Sequence, residues 1–288
     1  MTQLKSSPSS PQNNDPFKAN EQNGPVDRFI TSHFSDVSVA GDLGSVILDV
    51  QTLTFAYPGY PPTLDGLSFM VSAGEKLGII GPNGAGKTSL FMTICGILPL
   101  KSGAISLFGQ PVVQGEFRPE LGLVFQNPDD QLFSATVEAD VAFGPENMGL
   151  APDEVQTRTQ MALELTGMID HKQHAPHHLS GGEKRMVAIA SVLSMLPELI
   201  IYDEPSANLD LRARRRLIQF LQTSQETMLI SSHDLEFLLE VCDRVLLLDE
   251  GQIIADGIPQ VIMGNEELML AHGLEKPHSL IPHRHLNP

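Results

Sequence analysis

The chain has 288 residues and is 41% hydrophobic, enough to bury the core of one or two domains. Acidic residues outnumber basic ones by 35 to 18, and the net charge of −17 argues against a nucleic-acid-binding surface, which needs a basic face. The longest apolar run, Met186 to Tyr202, is interrupted by Pro197 and Glu198 and falls short of a membrane span.

Residues 1 to about 45 open with Ser6-Ser7-Pro8-Ser9-Ser10-Pro11 and carry neither strand nor helix periodicity. They are expected to form a disordered extension, too polar to offset the entropy of ordering them. They also lack the apolar centre of a signal peptide, so the chain is expected to be made and kept in the cytoplasm. From Val46 the texture changes to short apolar runs bounded by turns. Val46–Phe55 and Leu67–Val71 read as strands, and Lys76–Gly81 as a strand running into a Gly-rich loop. Lys87–Leu98 continues as a helix with Leu90, Phe91, Ile94 and Leu98 on one side. Cys95 and Cys242 fall inside apolar segments and read as core thiols.

Leu121–Phe125, Leu199–Tyr202, Met228–Ser231 and Val245–Leu248 are short, continuously apolar and rich in Ile, Val and Leu. Such strands suit a parallel sheet covered on both faces. Helical patterns over Glu183–Leu196 and Leu211–Gln222 lie between them, which makes the fold α/β. The turn at Asp249-Glu250-Gly251 predicts a terminal hairpin with Gln252–Ala255. The His- and Pro-rich residues 272–288 are expected to be a tail. Its His272, His278, His283 and His285 read as passive, with weak binding of Ni²⁺ or Co²⁺ as the alternative. His171, His174, His177 and His178 read as a solvated helix end.

Gly81-Pro82-Asn83-Gly84-Ala85-Gly86-Lys87-Thr88, with Ser89 next, fits the phosphate-loop pattern between a strand and a helix. Its glycines let backbone N–H groups curl around phosphate oxygens, with the helix N-terminus behind them. Lys87 is placed to reach the β- and γ-phosphates, and Thr88 to ligate Mg²⁺. Asp203 and Glu204 end the Leu199–Tyr202 strand. There Asp203 suits the Mg²⁺ shell, and Glu204 suits a base for the attacking water.

Leu179-Ser180-Gly181-Gly182-Glu183-Lys184-Arg185 resembles the signature motif of the ATP-binding cassette (ABC) family. The resemblance runs over roughly residues 46–271. It implies a P-loop NTPase with a RecA-like core sheet, an antiparallel β-subdomain and an α-helical subdomain at about 127–180. It also implies a head-to-tail dimer in which Ser180, Gly181, Gly182 and Glu183 of one cassette meet ATP held by the other. Gln126 resembles the Q-loop glutamine, which joins Thr88 and Asp203 at Mg²⁺. Ser206-Ala207-Asn208-Leu209-Asp210 resembles the D-loop, His233 the switch histidine, and Tyr57 the aromatic that stacks on adenine.

Val124 to Phe133, followed by Val137 to Gly144, is similar to the energy-coupling-factor branch, and Ala271 to Leu280 to the end of its cobalt/nickel ATPases. The implied partners are a second ABC ATPase subunit, identical or homologous, a transmembrane coupling subunit and a substrate-binding membrane subunit, at the cytoplasmic face of the membrane. Part of the segment from Asn127 to Gly149, with Asp129, Asp130 and apolar residues from Leu132 to Phe143, is expected to line a groove for the membrane subunit, with packing of the helical subdomain as the alternative. Cobalt or nickel import is the favoured function. A vitamin importer is the alternative, and a soluble cassette of DNA repair or translation a more distant one, since the chain has one cassette and no coiled coil.

Overall fold

The computed structural model describes residues 45–281, so the extension expected at the N-terminus lies almost wholly outside the described residues, as do His283 and His285. In chain order the first five strands are β1 (Val46–Phe55), β2 (Leu64–Ser72), β3 (Lys76–Ile80), β4 (Ser102–Leu107) and β5 (Gln110–Pro111). Then follow β6 (Leu121–Val124), β7 (Leu199–Asp203), β8 (Thr227–Ser231), β9 (Arg244–Asp249) and β10 (Gln252–Gly257). The helices are α1 (Lys87–Ile94), α2 (Val137–Asn147), α3 (Pro152–Leu165), α4 (Gly181–Leu193), α5 (Leu211–Thr223), α6 (Leu235–Val241), α7 (Pro259–Ile262) and α8 (Glu266–Ala271).

The larger sheet has the order β10-β9-β3-β8-β7-β6. Its strands from β9 to β6 are parallel, and β10 returns antiparallel beside β9 as the expected hairpin. Because side chains alternate along a strand, each central strand feeds two cores. Ile200 and Tyr202 of β7 face one, with Met228 and Ile230 of β8 and the helices α2 to α6. Leu199 and Ile201 face the other, with Leu229, Leu246 and Leu248. That second core is closed by the antiparallel sheet β2-β1-β4-β5 and by α1. A side chain buried this fully contributes about 2 kcal/mol, so the continuous apolar runs are what hold the sheet between its layers.

The layout matches the three parts expected from the sequence, with α2 and α3 forming the helical part. The end of the described chain does not. Residues 272–281 are not a tail: Leu274 and Leu280 pack on the main core, Pro277 is buried, and a turn of 3₁₀ helix spans His278–Leu280. Three leucine- or proline-sized anchors were too few to show as a period in the sequence. Helix α1 is also shorter than expected, ending at Ile94, where the Ile97 amide folds back on to the Met92 carbonyl.

Candidate active site

Phosphate-binding sites in parallel sheets sit beyond the carboxyl ends of the strands. Here three adjacent strands deliver the chemistry: β3 leads into Gly81, β7 ends in Asp203 and Glu204, and β8 leads to His233. Gly81 lies directly on β9. A Cβ at Gly81 would stand 2.0 Å from the Leu248 carbonyl oxygen, so no other residue fits the start of the loop. Around Gly84 there is open space for a ligand.

Lys87 is buried, and its Nζ donates to the carbonyls of Gly81 at 2.8 Å and Pro82 at 3.1 Å. Burial lowers its pKa, and the neighbouring carboxylates of Glu204 and Asp203 pull the other way. The ammonium is thus parked on loop carbonyls, close to the acids, within the loop that would wrap a phosphate chain. Thr88 Oγ1 donates to Asp203 Oδ2 at 2.8 Å, and Ser231 Oγ donates to Asp203 Oδ1 at 2.7 Å. Hydroxyl and carboxylate oxygens converging at the end of a strand are the donor set a hard cation such as Mg²⁺ prefers.

Glu204 is buried, with φ at 49°, a left-handed conformation that a glutamate adopts only under constraint. Its backbone N–H is held by Ser231 Oγ at 3.0 Å, and its Oε2 accepts the His233 amide at 3.0 Å. Its Oε1 has no hydrogen-bond partner among the described residues, and His233 Nε2 is 3.4 Å away. A buried carboxylate oxygen with an unused lone pair, beside an imidazole, is equipped to take a proton from a water molecule.

Tyr57 is 44% exposed, stacks edge-on against Phe55 and lies 3.3 Å from Ser89 Oγ, so its ring is offered at the mouth of the loop. Gln126 is exposed, and among the described residues only its backbone is engaged: its carbonyl accepts from Arg185 Nη2. The structure therefore does not bring the Gln126 side chain to the Thr88–Asp203 pair.

Ser180 begins α4 with a complete capping box. Its amide and hydroxyl donate to Glu183 Oε2 at 2.8 and 2.7 Å, and its hydroxyl accepts the Glu183 amide at 3.4 Å. A Cβ at Gly181 would meet nothing within 4 Å, whereas one at Gly182 would stand 2.7 Å from Ala213 Cβ. Gly182 therefore lets α4 start against α5, whose own N-cap is Asp210, accepting from the Ala213 amide at 2.8 Å. Among the described residues no hydrogen bond joins Ser180–Glu183 to the phosphate loop of the same chain.

Several contributors were not singled out in the sequence. Ser231 holds both Asp203 and Glu204, and Ser232 Oγ meets Ser206 Oγ at 2.9 Å. Asp234 caps α6 and pairs with Arg214. The run Ser231-Ser232-His233-Asp234 before an apolar stretch is a helix-start signal that could have found the cap. The histidines before α4 lie near its start, with His171 and His174 Nδ1 atoms 3.2 Å apart, but no metal-holding group of three occurs among the described residues.

Comparison with known proteins places the chain in a family. Residues 64–207 match the family model described as ABC transporter. A provisionally named ABC transporter ATP-binding protein of Synechocystis sp. is 56% identical over 80% of this chain and 81% of its own length. The energy-coupling factor transporter ATP-binding protein EcfA of Methanothermobacter thermautotrophicus is 44% identical over 80% of this chain and 77% of its own. Among solved structures, cbiO1 from Clostridium perfringens, part of the ABC transporter complex cbiONQ, superposes with a TM-score of 0.71 at 36% identity, covering 78% of this chain and 94% of that one.

Proposed function

Since the chain belongs to the ABC transporter ATPase family, as an ATP-binding subunit of energy-coupling-factor type that couples ATP hydrolysis to transport, we propose a specific division of labour among its residues and a metal-ion cargo. In this reading Lys87, Thr88 and the loop N–H groups hold the β- and γ-phosphates, and Tyr57 stacks on the base. Glu204 takes a proton from the attacking water through Oε1, and His233 addresses the γ-phosphate. Thr88 and Asp203, with Gln126, would hold Mg²⁺, which when bound would neutralise charge on the phosphate oxygens. The observation that carries this reading is the buried Glu204 oxygen with no hydrogen-bond partner among the described residues, beside His233, just past the end of a strand that β8 separates from the phosphate-loop strand.

Ser180 to Glu183 complete the phosphate cage in trans, from a second ABC subunit, while Asp210 sets the seam. This is supported by the open space around Gly181 and by the lack of any hydrogen bond from this helix start to the chain's own loop, among the described residues. Closing and reopening that dimer is the work step. Phe133 and Phe143, 67% and 46% exposed and stacked edge-on at 4.9 Å, offer an apolar patch to a transmembrane coupling subunit. Leu132, Val137 and Val141, also expected in that groove, are buried in the core instead.

Cobalt or nickel is the proposed cargo, supported by the resemblance of Ala271 to Leu280 to the end of the cobalt/nickel ATPases of the energy-coupling-factor branch. The test is reconstitution with the membrane subunits in vesicles, measuring ATP-dependent uptake of labelled Co²⁺ and Ni²⁺ beside labelled vitamins. Uptake of a vitamin with no metal transport would overturn the cargo assignment and leave the ATPase reading intact.

A further inference from the structure

The chain beyond α8 follows a path that touches two separate parts of the site. His272 Nδ1 donates to Asp249 Oδ2 at 2.7 Å, with both side chains only about one-fifth exposed at 22% and 21%. Asp249 follows Leu248, whose carbonyl is the surface on which Gly81 rests. Gly273, at φ 69°, passes near the phosphate loop, where a methyl placed on it would just reach van der Waals contact with Pro82 Cβ at 3.9 Å. Pro82 supplies one of the two carbonyls that hold the Lys87 ammonium. Leu274, Pro277 and Leu280 then anchor the segment on the domain. At the far end Ser279 grips both oxygens of one carboxylate, its amide on Glu236 Oε1 at 2.9 Å and its hydroxyl on Oε2 at 2.6 Å. Glu236 lies in the first turn of α6, the helix that His233 and its neighbour Asp234 lead into.

We propose that residues 272–280 are a positioning strap for ATP hydrolysis: His272 holds the end of β9 on which the phosphate loop starts, and Ser279 sets the helix that follows His233. A glycine-rich loop has few side chains with which to hold itself, and ordering it around a ligand costs binding energy. A brace at Asp249, next to the Leu248 carbonyl under Gly81, removes part of that cost. The grip on Glu236 fixes where the helix starts, and with it the distance from His233 to the loop. The strap thus acts on ATP affinity at one end and on the chemical step at the other, through residues outside the proposed phosphate cage. The inference rests on the proposed roles of Lys87 and His233.

The experiment uses the full-length chain, titrated with a fluorescent ATP analogue in the presence of Mg²⁺ and assayed for steady-state ATPase. His272→Ala weakens nucleotide binding and raises the KM for ATP about threefold to tenfold with kcat little changed, and Ser279→Ala lowers kcat by a similar factor with KM unchanged. His272→Asn, whose side-chain amide stands near the place of the imidazole Nδ1, restores most of the affinity. Should His272→Ala not fold, Asp249→Asn weakens the same pair without loss of volume and must give the same rise in KM. Lowered melting temperatures with wild-type KM and kcat in the folded fraction would make the strap a structural element only and overturn the proposal. Lys87→Ala separates the two levels. If it binds ATP like the wild type, the reading of the site fails. If it loses ATP while the His272 and Ser279 variants keep wild-type kinetics, the strap alone fails.

Discussion

Arg185 donates from both ends of its guanidinium to consecutive carbonyls, Nη1 to Phe125 and Nη2 to Gln126. The side chain is 2% exposed, and no acid forms an ion pair with it among the described residues. Burial pushes its pKa down to about 10, with Asp203 opposing that shift, so it remains charged at neutral pH. The helix that starts at Ser180 therefore holds the strand end that carries Gln126. Gln131 strengthens the link, accepting the Phe125 amide and donating to the Ala188 carbonyl of α4. The first prediction is that Arg185→Met destabilises the domain by about 2–4 kcal/mol, because two carbonyls lose a charged donor. Arg185→Lys, which can serve one carbonyl at a time, should fall between. Urea unfolding followed by circular dichroism measures both, and a Met variant as stable as the wild type would show that solvent replaces the guanidinium at no cost.

Much of the site was legible because its parts are local. The phosphate loop, the Asp203-Glu204 pair and the Ser180 capping box are each a few consecutive residues whose chemistry and spacing speak for themselves. What stayed hidden depends on contacts across the chain. Arg185 stood inside the signature motif, yet its partners are 59 and 60 residues away, and nothing local says that it points inward. Ser231 looked like the end of an apolar strand and turns out to hold two acids that lie 27 and 28 residues earlier. Strand β4 escaped because Ser102-Gly103-Ala104 opens it with small, exposed residues, and α6 because Leu235–Val241 joins the apolar run of β9 with only a short polar break. The 272–281 segment was misread for the same reason: its anchors are sparse and its partners, Asp249 and Glu236, are remote.

Glu204→Gln is expected to retain ATP binding and lose hydrolysis by about 10²- to 10⁴-fold, the range for loss of a general base. The amide still accepts the His233 N–H that Oε2 accepts now, so the site should keep its shape. The variant should also accumulate as an ATP-bound dimer on size exclusion, since the closed state no longer decays. Near-normal turnover in steady-state assays would remove Glu204 from the mechanism.

The capping box at Ser180 predicts a pH dependence. The Ser180 hydroxyl, and then its amide, donate to the Glu183 carboxylate and hold its pKa below the ordinary value of 4.5. A carboxyl depressed in the folded state adds stability that is fully present above its unfolded value and is lost as pH falls through its folded one. The stability gap between wild type and Glu183→Gln should therefore be constant near neutrality and close as the pH drops below about 4.5. The side chain is 28% exposed and reached by solvent, so the gap should stay under about 1 kcal/mol. Melting curves at several pH values settle it, and a gap that widens on acidification would mean that Glu183 is stabilised by something other than its charge.

The last prediction concerns docking on the membrane subunits, and the structure changes which residues test it. Asp129 and Asp130 were expected to act together at the rim of the groove. Asp129, however, pairs with Lys184 of α4 at 2.6 Å, so removing it would disturb the signature helix as well as any partner contact. Asp130 is the cleaner rim probe. Phe133 is held out by its backbone: Asp140, buried in α2, accepts the amides of Phe133 and Ser134 at 3.0 and 2.9 Å. That fixes the loop while leaving the ring 67% exposed as a residue and stacked on Phe143. A soluble domain gains nothing from presenting two phenyl rings in this way, whereas an apolar anchor at the centre of an interface commonly contributes 2 kcal/mol or more. Phe133→Ala is therefore expected to leave the ATPase of the isolated subunit unchanged, to weaken its recovery with the membrane subunits by at least about tenfold, and to depress cargo uptake in vesicles. Asp130→Ala should do the same more weakly and chiefly at low salt, as befits a charge at the edge. Asp129→Ala should differ from both by lowering the ATPase of the isolated subunit too. Equal loss of hydrolysis and uptake in Phe133→Ala would place that ring in the service of the fold, and the docking surface would have to be sought elsewhere.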